Sequence, residues 1–155
     1  LRHRNSHADC AMKLFFASDH AGLTLRRALM EHAASLGHDI VDLGPDSTES
    51  VDYPDYGNKL AQALAEQPEA HGVAVCGTGI GISIALNRHR HVRAALVNDV
   101  TAATLTRQHN NANVIAFGDR VIGVETAKHA LTAFLSTEFE GGRHQRRVEK
   151  LSPAS

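Results

Sequence analysis

Short apolar runs alternate with longer amphipathic stretches along most of this chain. Residues 13–17 (KLFFA) form a compact run with two aromatics, the pattern of a buried strand. The next stretch spaces Leu23, Leu25, Leu29 and Leu36 as the buried stripe of a helix and stops at Gly37. Residues 39–43 (DIVDL) predict a second strand. A second helix opens at Pro54, carries Leu60 and Leu64, and closes near Pro68. Residues 72–76 (GVAVC), 93–97 (RAALV) and 113–117 (NVIAF) predict three more strands. Helices are predicted over 80–88, 102–108, 124–135 and 143–151.

The strands read as continuous apolar runs rather than apolar/polar alternations. Together with the regular alternation of strand and helix, this predicts an α/β fold with a five-stranded parallel sheet covered by helices on both faces. Residues 1–12 (LRHRNSHADCAM) do not fit the pattern and read as a foreign or disordered leader, with Met12 as the natural start and Cys10 as a stray thiol. Glycines and prolines fall at element boundaries, so residues 13–151 are expected to form a single domain.

Composition narrows the picture. Hydrophobic residues make up 43% of the 155 residues and charged residues 21%, a globular balance. The formal net charge is -1, so no global field draws the chain to nucleic acid or to an anionic membrane. Two cysteines, Cys10 and Cys76, exclude a disulfide scaffold and a four-cysteine zinc site. Apolar runs of about five residues are far short of the ~20 that cross a bilayer. A cytoplasmic protein with no membrane partner is expected.

In an open parallel sheet, ligands bind beyond the carboxyl ends of the strands. The residues following the strands there are polar: Ser18-Asp19-His20, the loop from Cys76 to Ile82, Asn98-Asp99, and Asp119-Arg120. Gly77-Thr78-Gly79-Ile80-Gly81 is the strongest local signal. Glycines at alternate positions let several backbone N–H groups converge, and a helix starting there adds its positive end, which suits an anion. The dinucleotide fingerprint fails because position 82 is Ile82, and the nucleoside-triphosphate loop fails for want of Gly-Lys-Ser/Thr. A plain strand-to-helix turn is the bland alternative. Cys76 precedes those amides, and a thiol at a helix N-terminus is readily ionised to act as base or nucleophile, although buried cysteines are often inert. Arg143 and Arg147 share a helix face and could grip a phosphate, or could belong to a solvated basic face with Arg146 and Lys150. His109 and Asn110 open a polar cluster before a buried strand. Asp19 could cap a helix rather than bind. His89 and His91 read as solvated surface.

SDHAG at 18–22, DYPDY at 52–56, CGTGIGISIALN at 76–87, RQHNNANV at 107–114 and EGGRHQRRVE at 140–149 occur in this order. Together they make the chain resemble the type B ribose-5-phosphate isomerase family, which also contains allose-6-phosphate and galactose-6-phosphate isomerases. The resemblance covers roughly residues 13–150. Ser18 departs from it, since some members carry Cys there.

The resemblance implies a Rossmann-like three-layer α/β/α sandwich and a homodimer or larger assembly with active sites at the subunit interface. It implies aldose–ketose isomerisation of a phosphorylated sugar, taken here as ribose 5-phosphate to ribulose 5-phosphate in the pentose phosphate pathway. The catalytic residues would be Cys76 as base, Thr78 as a proton carrier between O1 and O2, and His109 for ring opening. Gly77, Gly79, Ile80 and Gly81 would form the anion hole. Asp19, His20 and Asn110 would hold the sugar, and Arg143 and Arg147 the phosphate, with help from Arg120; Tyr53 would line the pocket. A metal-dependent hydride shift wants several carboxylate or His ligands together. The sequence shows no such cluster, so neither metal nor cofactor is expected. A hexose 6-phosphate substrate, a catalytically silent phosphosugar-binding protein and a Cys-nucleophile hydrolase stand as alternatives.

Overall fold

The computed structural model describes residues 11–152. The expectations for residues 1–10, Cys10 included, lie outside the described residues. Five strands form one sheet: β1 (Lys13–Ser18), β2 (Asp39–Asp42), β3 (His71–Cys76), β4 (Ala94–Leu96) and β5 (Val114–Gly118). They are all parallel and lie in the order β2-β1-β3-β5-β4. Six α-helices alternate with them: α1 (Leu23–Ser35), α2 (Tyr53–Glu66), α3 (Ile80–Asn87), α4 (Val100–Asn110), α5 (Val124–Ser136) and α6 (Arg143–Leu151). The predicted three-layer α/β/α architecture is the observed one.

Period-two alternation in β1 explains the layers. Leu14 and Phe16 face one side, with Leu25 and Leu29 of α1, Ala103 of α4, and Leu131 and Phe134 of α5. Phe15 and Ala17 face the other, with Leu60 and Leu64 of α2 and Ile82 and Leu86 of α3. Every residue of β5 and all but the first of β1 and β3 are buried, which is why these strands are apolar on both faces. β4 is the sheet edge and is shorter than predicted, because only Ala94–Leu96 pair with β5. No helix among the described residues is long and apolar enough to cross a membrane.

The chain runs outward from β1 to β2, then crosses back to β3 on the far side of β1. The crevice at the carboxyl ends of β1 and β3 is therefore the topological switch point, where such sheets bind ligands.

Candidate active site

Two groups of side chains stand out, at opposite edges of the sheet. The first occupies the switch point. Cys76 ends β3 and is buried, at 4% exposure. Its Sγ accepts the backbone N–H of Gly79 at 3.1 Å. Gly79 sits at φ 79°, the left-handed turn that swings the chain from strand into α3. The Ile80 N–H donates to the exposed Thr78 hydroxyl at 3.2 Å. The N–H groups of Gly81 and Ile82, in the first turn of α3, have no helix carbonyl to bond. The loop is thus a cradle of donors with a thiol at its centre.

Neighbouring elements brace it. Asp119 and Arg120 donate backbone N–H to the carbonyls of Cys76 (3.0 Å) and Gly77 (2.9 Å), extending the β3–β5 pairing into the loop. The Tyr53 ring roofs Gly81, where a Cβ would come within 2.7 Å of the Tyr53 ring carbon Cζ. That approach is why position 81 carries glycine. The Arg120 side chain runs beside Gly77.

From the end of β1 come Asp19 and His20. Asp19 caps the following 3-10 turn, its Oδ1 accepting from Gly22 N at 3.1 Å, so the capping reading is realised. His20 Nδ1 accepts the N–H of Val51 at 3.1 Å, which leaves Nε2 as the protonated donor of the neutral ring. Arg26, fully buried, ties Ser18 Oγ (2.6 Å), the Pro45 carbonyl (2.5 Å) and Asp42 (3.2 Å) together just behind this segment.

The second group lies at the amino edge. His109 and Asn110 end α4, which runs back against the strands and delivers them just ahead of β5. With His144, Arg147, Val148 and Leu151 of α6 they line a pocket of about 250 Å³. Arg143 and Arg147 lie four apart on α6 and are exposed. Residues expected in one site therefore divide. Cys76, Thr78, Gly77, Gly79, Ile80, Gly81, Asp19 and His20 come together, while His109, Asn110, Arg143 and Arg147 gather at the other end. The four-residue rise from Gly72 to Cys76 alone separates the edges by about 13 Å.

Sequence reasoning gave no role to Glu140 and His144, although both lie in a quoted motif. The His144 ring stacks on His109, with centroids 4.3 Å apart and planes 17° apart. Glu140 Oε1 lies 4.0 Å from His109 Nε2 and 3.8 Å from His144 Nε2. Burial, the charge of His109 and the guanidinium of Arg143 hold the His144 ring below the usual histidine pKa. Glu140 precedes the Gly141-Gly142 reversal and His144 follows it in the first turn of α6, so their meeting depends on that reversal rather than on helical spacing. These three side chains also correct the expectation of no metal-ligand cluster, because their ligand atoms lie within 4.8 Å of one another. Arg143 and Arg147 alongside oppose a dication there. His89, half-buried, and His91, exposed, lie at the surface as expected, and there they bond to Asn58 Oδ1 (2.8 Å) and the Ala61 carbonyl (2.7 Å) of α2.

Comparison with known proteins agrees with the motifs. Ribose-5-phosphate isomerase B of Escherichia coli is 43% identical over 140 residues, covering 90% of this chain and 94% of that protein. The solved structure of Clostridium thermocellum ribose-5-phosphate isomerase B superposes with a TM-score of 0.89 at 41% identity, covering 91% of this chain and 95% of that one. That of Mycoplasma genitalium ribose-5-phosphate isomerase B with bound ribulose-5-phosphate gives 0.87 at 39% identity, with 90% and 93% covered. The family model for ribose/galactose isomerase matches residues 14–151. By motif order, sheet topology and this match, the chain belongs to the ribose/galactose isomerase family.

Proposed function

We propose that this chain interconverts ribose 5-phosphate and ribulose 5-phosphate, in a site assembled from two copies of itself. The observation that carries the chemistry is the Cys76 sulfur set against the Gly79 N–H at the switch point. That contact fixes the sulfur at the end of β3, facing the loop where the substrate carbon would lie. Relatives named for this reaction, and the bound ribulose-5-phosphate of one solved neighbour, support the substrate.

The reaction proceeds in two stages. The sugar ring opens first: a proton leaves the anomeric O1, the C1–O4 bond breaks, and O4 takes up a proton as C1=O1 forms. His109 performs this exchange. Cys76 then takes the proton from C2, the electron pair moves into a C1–C2 double bond, and O1 becomes the oxyanion of a cis-enediolate. Returning that proton to C1 leaves the carbonyl at C2. The Gly77, Gly79, Ile80 and Gly81 backbone faces the developing charge, and Thr78 carries the proton between O1 and O2. Asp19, the Nε2–H of His20, and Asn110 hold the sugar oxygens. Arg143 and Arg147 grip the phosphate by charge-assisted bonds. The chemistry is redox-neutral and needs no cofactor.

One chain places Cys76 and His109 on opposite sheet edges, so each site needs Cys76 from one copy and His109 from another. A two-fold pair supplies this, because antiparallel juxtaposition sets the amino edge of each chain against the carboxyl edge of its partner and creates two equivalent sites. Ile80, Ile84, Leu96 and Val100, all exposed around the carboxyl end of the β4 edge, fit such a contact.

The test is turnover of ribose 5-phosphate by purified protein in excess chelator, with allose 6-phosphate in parallel. Chelator-resistant ribose 5-phosphate turnover is expected. Activity on the hexose alone would replace the substrate, and no activity on either would contradict the proposal.

A further inference from the structure

Glu140 has no place in the reaction as set out above, yet the chain is built to fix it. Its backbone N–H donates to the Gln108 carbonyl at 3.1 Å, which ties it to the last turn of α4 immediately before His109. The next two residues, Gly141 and Gly142, both take positive φ (67° and 54°), a reversal that side-chain-bearing residues resist. The reversal starts α6, and His144 N–H closes back on the Gly141 carbonyl at 3.0 Å. Its result is a His144 ring stacked on His109, with Glu140 Oε1 about equally far from both Nε2 atoms. His144 is buried, whereas the His109 side chain is 39% exposed beside the pocket.

We propose that Glu140 is a positioning residue for ring opening, holding His109 by its Nε2 against the His144 ring so that His109 carries the moving proton. The inference rests on the role of His109 in the proposed reaction. The charged groups around the stack explain the division of labour. Arg143 and Arg147 oppose a proton on His144, and among the described residues Glu140 is the carboxylate within ion-pair reach of both rings. Desolvation disfavours the charge on buried His144 first. The half-exposed His109, with Glu140 in reach, is left to take the proton from O1 and deliver one to O4. Glu140 then stabilises the imidazolium between these events without touching the sugar.

A substrate that cannot cyclise separates this role from a general structural one. D-erythrose 4-phosphate is an aldose phosphate whose O4 is esterified, so no furanose closes and only the Cys76 stage is required. Steady-state kinetics on both substrates compare wild type, E140Q, E140D and H109N. In E140Q, kcat for ribose 5-phosphate should fall about tenfold to a hundredfold with KM little changed, while kcat for the tetrose stays within about twofold. E140D should recover much of the loss, and H109N should show the same substrate split, larger in size. E140Q with undiminished ribose 5-phosphate turnover, or with equal losses on both substrates, would overturn the inference. Wild type inactive on both substrates would instead remove the reading on which it rests.

Discussion

The Cys76 sulfur and the Gly79 backbone N–H meet at 3.1 Å, across the turn that carries β3 into α3. This contact joins fold to chemistry, since the geometry that ends a buried strand and starts a helix also presents a donor to the thiol. Replacing the sulfur tests its function. Cys76→Ala should lower kcat on ribose 5-phosphate by about a thousandfold and leave KM within about twofold, because the phosphate grip lies elsewhere. A variant that keeps most of its turnover would show that Cys76 is not the base.

Gly79→Ala should cost both stability and activity. The added Cβ would come within 2.5 Å of Leu96 Cδ1 and 2.8 Å of the Phe117 carbonyl carbon, at a φ of 79°. Backbone strain alone is worth about 1–3 kcal/mol, and the clash with backbone adds to it. Urea unfolding should show the loss. A midpoint equal to that of wild type would mean that the turn relaxes without the glycine.

Arg147 lines the His109 pocket and is exposed there. Loss of a charge-assisted phosphate contact, at about 1.5–3 kcal/mol, should raise KM roughly tenfold to a hundredfold in Arg147→Ala. Phosphate binding is shared by ground and transition states, so kcat should change little. Arg143→Ala should move in the same direction. An unchanged KM in both would remove α6 from the phosphate site.

His71 gives the fold an acid limit. Its Nδ1 is buried without a hydrogen-bond partner, and burial, together with the charges of Arg107 and Arg93, pushes its pKa down to about 4. The unfolded ring titrates near 6.5, so below that pH the unfolded state binds the extra proton and stability falls. The loss from this one residue grows to roughly 3 kcal/mol by pH 4 and levels off below it. His71→Gln should flatten the decline of unfolding free energy between pH 6.5 and 4. An equally steep decline in the variant would place the acid sensitivity elsewhere.

Much of this was legible in the chain. The parallel sheet shows in buried runs such as KLFFA and GVAVC, because strands covered on both faces leave no polar register. The Cys76–Gly81 loop declares itself by glycine spacing, and Asp19, His20 and that loop all follow strands into the switch point. The division of the site was not legible. The resemblance implies sites at a subunit interface, but the motifs do not say which residues lie on which side of it. In a strand–helix–strand unit the helix runs back against the strands, so a residue in its last turn emerges at the amino edge. Glu140 and His144 were hidden for another reason. Their meeting depends on two successive positive-φ glycines, and a Gly-Gly pair in sequence reads only as a loop. β4 is one residue shorter at each end than its apolar run, because an edge strand pairs on one side only.

In the proposed dimer each site takes Cys76 from one copy of the chain and His109 from another. Mixing subunits tests it most directly. Cys76→Ala and His109→Asn are unfolded together in equal amounts, refolded, and assayed on ribose 5-phosphate beside each variant alone. Random pairing makes half the dimers mixed, and each mixed dimer holds one intact site and one doubly altered site. Two nearly inactive proteins should together regain about a quarter of wild-type activity. A mixture as inactive as its parents, with mixed dimers present, would contradict it.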